Sequence, residues 1–147
     1  MRSAETDDKI RSILTTTRTI AVVGASPNPA RPSNGVMRFL LGCGYRVIPV
    51  NPGHAGGEML GQPVYGSLSA IPEPVDMVDI FRRSDAVGPV VDEALTLDPL
   101  PKTIWMQLQI VNEPAAQKAE AAGLRVVMDR CPAIEYPRLI GNDRIAS

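Results

Sequence analysis

The chain has 147 residues, enough for one domain with a single core, and its 15 Lys and Arg against 16 Asp and Glu give a net charge of −1. Such a balance provides no broad cationic surface and argues against a general nucleic-acid-binding protein. No apolar run reaches the roughly 20 residues of a membrane-spanning helix, and Met1 to Asp8 is polar and acidic, unlike a secretory leader. We therefore expect one soluble, cytoplasmic domain over residues 1–147, with neither a membrane nor a nucleic acid as partner.

The apolar residues are mainly aliphatic, since 44% of the chain is hydrophobic and only 4% is aromatic. This composition favours a parallel sheet covered by helices, because strands buried on both faces consist mostly of Val, Ile and Leu. The two cysteines, Cys43 and Cys131, are expected to be free thiols, since a fold of this kind and length does not need a disulfide.

Helices and strands alternate in the first half of the chain. The predicted elements are a helix over Glu5 to Thr17, a strand over Thr19 to Gly24, a helix over Asn34 to Gly42 and a strand over Arg46 to Val50. Ser33 is predicted to cap the second helix, and Gly42 and Gly44 are predicted to end it. Residues 19–50 thus form a strand-helix-strand unit of the usual length.

The same alternation continues in the second half. The predicted elements are an extended piece around Pro63 to Tyr65, a strand over Val75 to Ile80, a helix from Ser84 or Asp85 to Leu97, a strand over Lys102 to Leu108, a helix capped by Asn112 and ended by Gly123, and a strand over Arg125 to Met128. The strand over Val75 to Ile80 alternates apolar and polar residues more than the others, which suggests a position nearer a sheet edge.

This succession predicts an α/β fold: a doubly wound, parallel, five-stranded sheet in the order 3-2-1-4-5, between two helical layers. In such sheets, ligands bind outside the carboxyl ends of the strands, where the strand order reverses beside the first strand. The loop that follows the first strand is therefore the first place to look for a site.

The loop from Gly24 to Gly35 has features of an anion site. Gly24 allows a tight turn, Ser26 offers a hydroxyl and an amide, and a helix beginning near Ser33 directs free N–H groups into the loop. We expect the main-chain amides of Gly24 to Ser26 to form a cradle that attracts phosphate. The alternative is that Gly24 and Ser26 are only turn residues and Ser33 only a helix cap.

The common phosphate-binding fingerprints are missing from this loop. Ser26 stands where the dinucleotide fingerprint needs its second glycine, and Asn51 and Pro52 follow the second strand where an acid would hold a ribose. Both departures argue against NAD. The chain also lacks the Gly-Lys-Ser/Thr sequence of a P-loop kinase or ATPase.

Other candidate residues carry weaker signals. Arg31, Arg82 and Arg83 are predicted in loops at the carboxyl end of the sheet, where a guanidinium can meet phosphate oxygens or simply face solvent. His54, the one histidine, lies in a glycine-rich loop, and no Cys or His pair has metal-ligand spacing. Cys131 follows the last strand and is either a reactive thiol or an inert core residue. We predict no catalytic residue and no metal.

Five ordered segments carry a family resemblance: Ile20 to Asn28, Gly44 to Pro52, Val78 to Arg83, Ile104 to Leu108 and Val127 to Pro132. Over about residues 10–140, the chain resembles the small single-domain CoA-binding proteins. The resemblance implies a Rossmann-like domain, related to the CoA-binding domain of the succinyl-CoA synthetase alpha subunit, with coenzyme A lying across the carboxyl ends of the strands.

The resemblance also implies a set of CoA-contacting residues, in chain order Gly24, Ala25, Ser26, Asn28, Arg31, Asn51, Pro52, Phe81, Arg82, Arg83 and Gln107. Gly24 to Ser26 would meet the phosphates, with Asn28 and Arg31 nearby. Asn51 and Pro52 would border the adenosine, Phe81 to Arg83 would flank the nucleotide or the pantetheine, and Gln107 would line the site from the fourth strand. Gln109 stands where the family usually has glycine, and its side chain would narrow the pantetheine channel.

The expected function is binding of CoA or an acyl-CoA without catalysis. Related acyl-CoA synthetases need a phosphorylatable histidine and a nucleotide-grasping domain, and His54 lies in a different part of the fold. Two alternatives stay open: an NAD(P)-dependent oxidoreductase, and a thiol-redox protein that forms a mixed disulfide with CoA at Cys131. Exposed apolar positions on the terminal helices would suit a homodimer.

Overall fold

The computed structural model describes residues 6–141, and helices and strands alternate through this range. The helices are α1 (Asp7–Thr16), α2 (Pro32–Cys43), α3 (Val87–Ala94), α4 (Glu113–Ala121) and α5 (Pro132–Leu139). The strands are β1 (Thr19–Val23), β2 (Arg46–Val50), β3 (Glu58–Met59), β4 (Gln62–Pro63), β5 (Met77–Ile80), β6 (Thr103–Met106) and β7 (Arg125–Val127). Glu5, where the first helix was predicted to begin, lies outside the described residues.

Five strands form one parallel sheet in the order β2-β1-β5-β6-β7, while β3 and β4 form a separate antiparallel pair. The short segment at Tyr65 runs parallel to the outer side of β2: the Tyr65 N–H donates to Pro49 O at 3.1 Å, and the Asn51 N–H donates to Tyr65 O at 2.9 Å. When this segment is counted as the third strand, the sheet follows the predicted 3-2-1-4-5 pattern. The doubly wound fold is confirmed.

The position of β5 differs from its prediction. This strand pairs with β1 and takes the fourth place in the pattern, rather than the third place beside β2. All four of its residues are buried, so the expected location near an edge is wrong. The polar residue that gave the strand its alternating pattern, Asp79, is inside the protein and not on a solvent face.

The sheet lies between two helical layers, and the side chains of β1 show how it is covered. Ile20 and Val22 pack into the core formed with α1, α2 and α5, whereas Ala21 and Val23 belong to the core on the α3 and α4 face. Burial on both faces explains the continuous apolar run of this strand. Among residues 6–141, no helix is both long and apolar enough to cross a bilayer.

Helix α2 begins and ends differently from its prediction. Arg31 occupies the N-cap and Pro32 the first turn, so Ser33 lies inside the helix and is not its cap. Pro32 suits the first turn because its fixed φ is helical and no N–H is needed there. Gly42 is helical, and Gly44, with φ of 102°, ends the helix in the left-handed conformation.

Two helices in the second half of the chain, α3 and α5, also differ from the prediction. Ser84–Ala86 forms a 3₁₀ turn, and α3 follows it. Helix α5 had no predicted bounds, and it contains Pro137 in its interior. Cys131 precedes α5, and both it and Cys43 are free thiols, as predicted; both are also buried.

Candidate functional site

Two adjoining cavities open at the carboxyl ends of β1, β2 and β5. One has a volume of about 320 Å³ and is lined by Gly24, Ala25, Ser26, Arg31, Pro32, Ser33, Asn51 and Phe81. The other, of about 390 Å³, is lined by Val23, Gly24, Val50, Asn51, Pro52, Gly66, Ser67, Phe81, Arg82, Val90 and Glu93. Both volumes lie in the range of small-molecule sites. We call them the α2-side cavity and the α3-side cavity.

Gly24 separates the two cavities and cannot be replaced without strain. Its φ is +88°, and a Cβ on it would lie 2.8 Å from the Phe81 carbonyl oxygen. Both facts require glycine, because other residues rarely adopt this φ and never tolerate so short a contact with the backbone. The tight turn predicted from the sequence is therefore present, and it brings the ends of β1 and β5 together.

The main-chain amides of Gly24 to Ser26 do not form the predicted anion cradle. The Gly24 and Ala25 N–H groups both donate to Val50 O, at 3.1 and 3.4 Å, and the Ser26 N–H donates to Ser33 Oγ at 3.0 Å. These bonds tie the loop to β2 and α2. The prediction is wrong because the last carbonyl of the neighbouring strand and a hydroxyl of the helix already accept from these amides.

Ser33 replaces the amide cradle as a source of donors. Its Oγ accepts from Ser26, so its own hydroxyl proton is available to another acceptor. Its N–H lies in the first turn of α2, where no preceding turn offers a carbonyl. Ser33 is buried and lines the α2-side cavity, so both donors can serve an anion there.

Two arginines are free to meet a ligand. Arg31 lines the α2-side cavity and Arg82 the α3-side cavity, and neither forms an ion pair with any carboxylate of residues 6–141. Arg83 differs, because its Nε lies 3.3 Å from Asp85 Oδ1 and it lines neither cavity. The structure thus separates two adjacent arginines that the sequence treats alike.

Asn51 links the two loops that border the site. Its Nδ2 donates to Ala25 O at 2.7 Å, and its Oδ1 accepts from the Gly53 N–H at 2.8 Å. With both ends of its amide bonded, Asn51 does not replace the carboxylate that holds a ribose diol in NAD sites. The oxidoreductase alternative gains no support from this geometry.

Eight of the eleven predicted contact residues line the cavities: Gly24, Ala25, Ser26, Arg31, Asn51, Pro52, Phe81 and Arg82. Asn28, Arg83 and Gln107 do not. Asn28 shapes the loop, since its N–H donates to Ser26 Oγ at 3.1 Å and its Oδ1 accepts from the Ala30 N–H at 2.9 Å.

The far wall of the α3-side cavity was not predicted from the sequence. Gly66, Ser67, Val90 and Glu93 form this wall. Gly66 and Ser67 come from a connecting segment, whereas Val90 and Glu93 come from a partly buried face of α3, and no local motif marks either. They meet because α3 packs against the 3₁₀ turn Leu68–Ala70, which directly follows Ser67.

Three other candidates have clear positions. Gln109 has φ of 68°, in the left-handed region, and its N–H donates to Asp129 Oδ1 at 2.7 Å. A backbone of this shape explains a preference for glycine there. Cys131 is only 6% exposed, which gives the mixed-disulfide alternative no support. His54 is exposed at the end of the 3₁₀ turn Pro52–His54 and lines neither cavity.

The fold and the two cavities define a class: a Rossmann-like α/β protein with two adjoining cavities at the reversal of strand order. Residues 18–137 match the family described as CoA binding domain, which covers most of the chain. The chain belongs to this CoA-binding domain family.

Individual relatives agree with this assignment. The uncharacterized protein YneT of Bacillus subtilis is 40% identical over 128 residues, which make up 87% of this chain and 92% of that protein. A solved structure, a hypothetical protein from Pyrococcus horikoshii OT3, is 40% identical and has a TM-score of 0.87. The match covers 96% of this chain and 100% of that chain. An ADP-forming acetate–CoA ligase of Archaeoglobus fulgidus is 37% identical over 76 residues, which are 52% of this chain and 11% of the ligase.

Proposed function

We propose that this protein binds coenzyme A or an acyl-CoA in the paired cavities at the carboxyl ends of β1, β2 and β5, without a reaction of its own. The observation that carries the proposal is the meeting of two adjoining cavities at the reversal of strand order with two arginines, Arg31 and Arg82, that form no ion pair within residues 6–141. Membership in the CoA-binding domain family supports the choice of ligand.

The two cavities would hold different parts of the ligand. The pyrophosphate would lie in the α2-side cavity, bonded by the Ser33 hydroxyl and N–H and by Arg31. The adenosine would lie in the α3-side cavity between Pro52 and Val90, and Arg82 would meet the remaining phosphate. This division leaves Gly24 to Ser26 as the turn that shapes the site and not as its main donors.

We further propose that residues 1–147 act as one binding domain in the cytoplasm. The site residues lining the cavities include no histidine, the residue that related acyl-CoA synthetases phosphorylate. A homodimer remains a prediction; Ile134 on α5, at 52% exposed, is the sort of apolar residue it would use.

Calorimetric titration with CoA, acetyl-CoA, NAD and NADP tests the proposal. We expect the titration to show binding of CoA or acetyl-CoA. In denaturation with the ligand present at ~100 times the dissociation constant, we expect the unfolding free energy to rise by about 2.7 kcal/mol. Tighter binding of NAD or NADP than of CoA would overturn the ligand assignment, and no binding of CoA would overturn the function.

The adjacent arginines provide a matched pair of variants. Arg82→Ala is expected to weaken CoA binding about tenfold, because it removes a charged contact to phosphate. Arg83→Ala removes the same charge outside the cavities and is expected to change affinity less than about twofold. Equal weakening by the two substitutions would contradict the assignment of Arg82 to a cavity wall.

A further inference from the structure

The α3-side cavity holds two opposite charges that do not pair with each other. Arg82 and Glu93 both line this cavity, yet neither forms an ion pair with the other or with any further charged group of residues 6–141. Arg82 can attract an anionic part of a ligand, and Glu93 can accept a hydrogen bond from an uncharged part. The cavity is therefore suited to a ligand that carries a phosphate and, some distance from it, an N–H or O–H donor.

One oxygen of the Glu93 carboxylate is already bonded and the other is not. Glu93 Oε2 accepts from the Ser69 N–H at 3.1 Å and from the Ser69 hydroxyl at 2.8 Å. Within the described part of the chain, Glu93 Oε1 accepts no hydrogen bond. Because an ionised carboxylate has acceptor sites on both oxygens, the bonds to Ser69 fix the group and leave Oε1 as a positioned acceptor.

The place of Glu93 along α3 indicates which part of CoA would meet it. Helix α3 connects the parallel strands β5 and β6, so it begins at the carboxyl end of the sheet and returns toward the amino end. Val90 and Glu93 are three residues apart, so they share a helix face, with Glu93 about 4.5 Å further from the carboxyl end. A base packed against Val90 would thus have its inner edge at Glu93.

The groups of adenosine fit this order. A phosphate is attracted by Arg82 and repelled by the Glu93 carboxylate, so the phosphates belong at the outer part of the cavity. The 6-amino group of adenine is a hydrogen-bond donor on the edge of the base away from the sugar. It is therefore the donor of adenosine that can reach Glu93 while the phosphates stay outside.

We propose that Glu93 Oε1 accepts an N–H from the 6-amino group of adenine, which makes Glu93 the residue that selects adenine over a base without this amine. The inference rests on the proposed function, because it names the part of CoA that the inner end of the α3-side cavity recognises. Ser69 is then a positioning residue, since it holds the carboxylate through the oxygen that the ligand does not use.

Two ligands test the inference on the wild-type protein: CoA, and a CoA analogue in which hydrogen replaces the 6-amino group. Wild type is expected to bind CoA about tenfold more tightly than the analogue, because the analogue offers no donor to the carboxylate and leaves it partly desolvated. This comparison changes only the ligand, so it does not depend on the folding of any variant.

Glu93→Gln and Asp92→Asn form a matched pair of variants on α3. Glu93→Gln retains one oxygen, which stays with the Ser69 donors, and its N–H₂ group then faces the amine of adenine. We expect CoA affinity to fall about tenfold, while affinity for the analogue stays the same or rises because a negative charge near an anionic ligand is gone. Asp92 pairs with Lys118 and lines neither cavity, so Asp92→Asn should retain the tenfold preference for CoA.

The outcomes separate the two proposals. If wild type binds neither CoA nor the analogue, the proposed function fails. If wild type binds the analogue as tightly as CoA or more tightly, the function stands and only the inference fails. A tenfold preference that persists in Glu93→Gln, or that is lost equally in Asp92→Asn, would also overturn the role given to Glu93.

Discussion

The two ends of β5 hold aspartates in opposite situations. Asp76, just before the strand, accepts the N–H groups of Arg18 and Thr19, each at 2.9 Å. Asp79, toward the other end, is buried against one neutral amide. The amino end of β5 is thus fixed by hydrogen bonds from main-chain N–H groups to a carboxylate. The carboxyl end of β5 instead retains polar groups that can respond to a ligand.

Cavity size alone would not distinguish these two ends. A cavity of about 340 Å³ also opens near the amino ends of β5 and β6, with Pro72, Pro74 and Pro99 among its lining residues. Proline has no N–H to donate. The carboxyl-end cavities differ by offering the donors of Ser33 and two arginines that pair with no carboxylate in the described part of the chain, and this chemistry makes them the candidate site.

Removal of Asp76 should have the largest effect on stability. Asp76→Ala leaves two N–H groups without their charged acceptor, and we expect a loss of about 3 kcal/mol in unfolding free energy. Urea unfolding measures this loss. CoA affinity of the folded variant should be unchanged, and a loss under about 1 kcal/mol would show that Asp76 does not fix the amino end.

A methyl group at Gly24 should distort the candidate site at the carboxyl ends of the strands. Gly24→Ala introduces a Cβ 2.8 Å from the Phe81 oxygen at a φ of +88°, and we expect a loss of about 2 kcal/mol together with loss of CoA binding. Gly35→Ala is the control, since a Cβ there meets nothing within 4 Å and alanine favours the helix by about 1 kcal/mol. Retention of CoA binding by Gly24→Ala would contradict the position of the site.

The buried acid predicts a pH trend with a definite sign. Because the pKa of Asp79 is raised in the folded state, the unfolded state ionises first, and stability falls as pH rises above the unfolded value until the folded value is passed. Asp79→Asn removes this effect, so the stability of this variant relative to wild type should increase from acidic to neutral pH. Denaturation at a series of pH values measures it.

Asp7 provides the opposite trend as a control. Its hydrogen bond to Arg138 lowers the pKa of the Asp7 carboxyl, so the stability it adds is present at neutral pH and is lost as pH falls through the folded value. Asp7→Asn should therefore be less stable than wild type at neutral pH, with the difference shrinking in acid. Parallel trends for the two variants would contradict the neutral acid at Asp79.

The smallest effect is expected at Gln109. Gln109→Gly relieves a left-handed backbone at φ 68° but adds flexibility to the unfolded chain, so the gain should stay under about 1 kcal/mol, or about 2 °C in Tm. Thermal unfolding measures this gain. A decrease in stability would show that the Gln109 side chain contributes contacts that outweigh the strain.

The sequence predicted the fold better than the site because the two rest on different information. The strands can be predicted from apolar runs, and the turn at Gly24 from a glycine directly after β1, because both signals lie within short segments of the sequence. The partners of the Gly24 to Ser26 amides depend on where Val50 and Ser33 lie in space, which no spacing rule supplies. Asp79 is a second example. The strand that contains it alternates polar and apolar residues, which predicted a position near a sheet edge, and only the three-dimensional sheet order shows that β5 is central.

Backbone amide NMR during a CoA titration compares the two ends of the sheet in one experiment. We predict that the shifts concentrate at Gly24, Ser33, Phe81 and Gln107, at the carboxyl ends, while Val75 and Asp76 at the amino end stay unchanged. Shifts centred on Val75 and the proline-lined cavity, or no shifts at saturating CoA, would contradict the account.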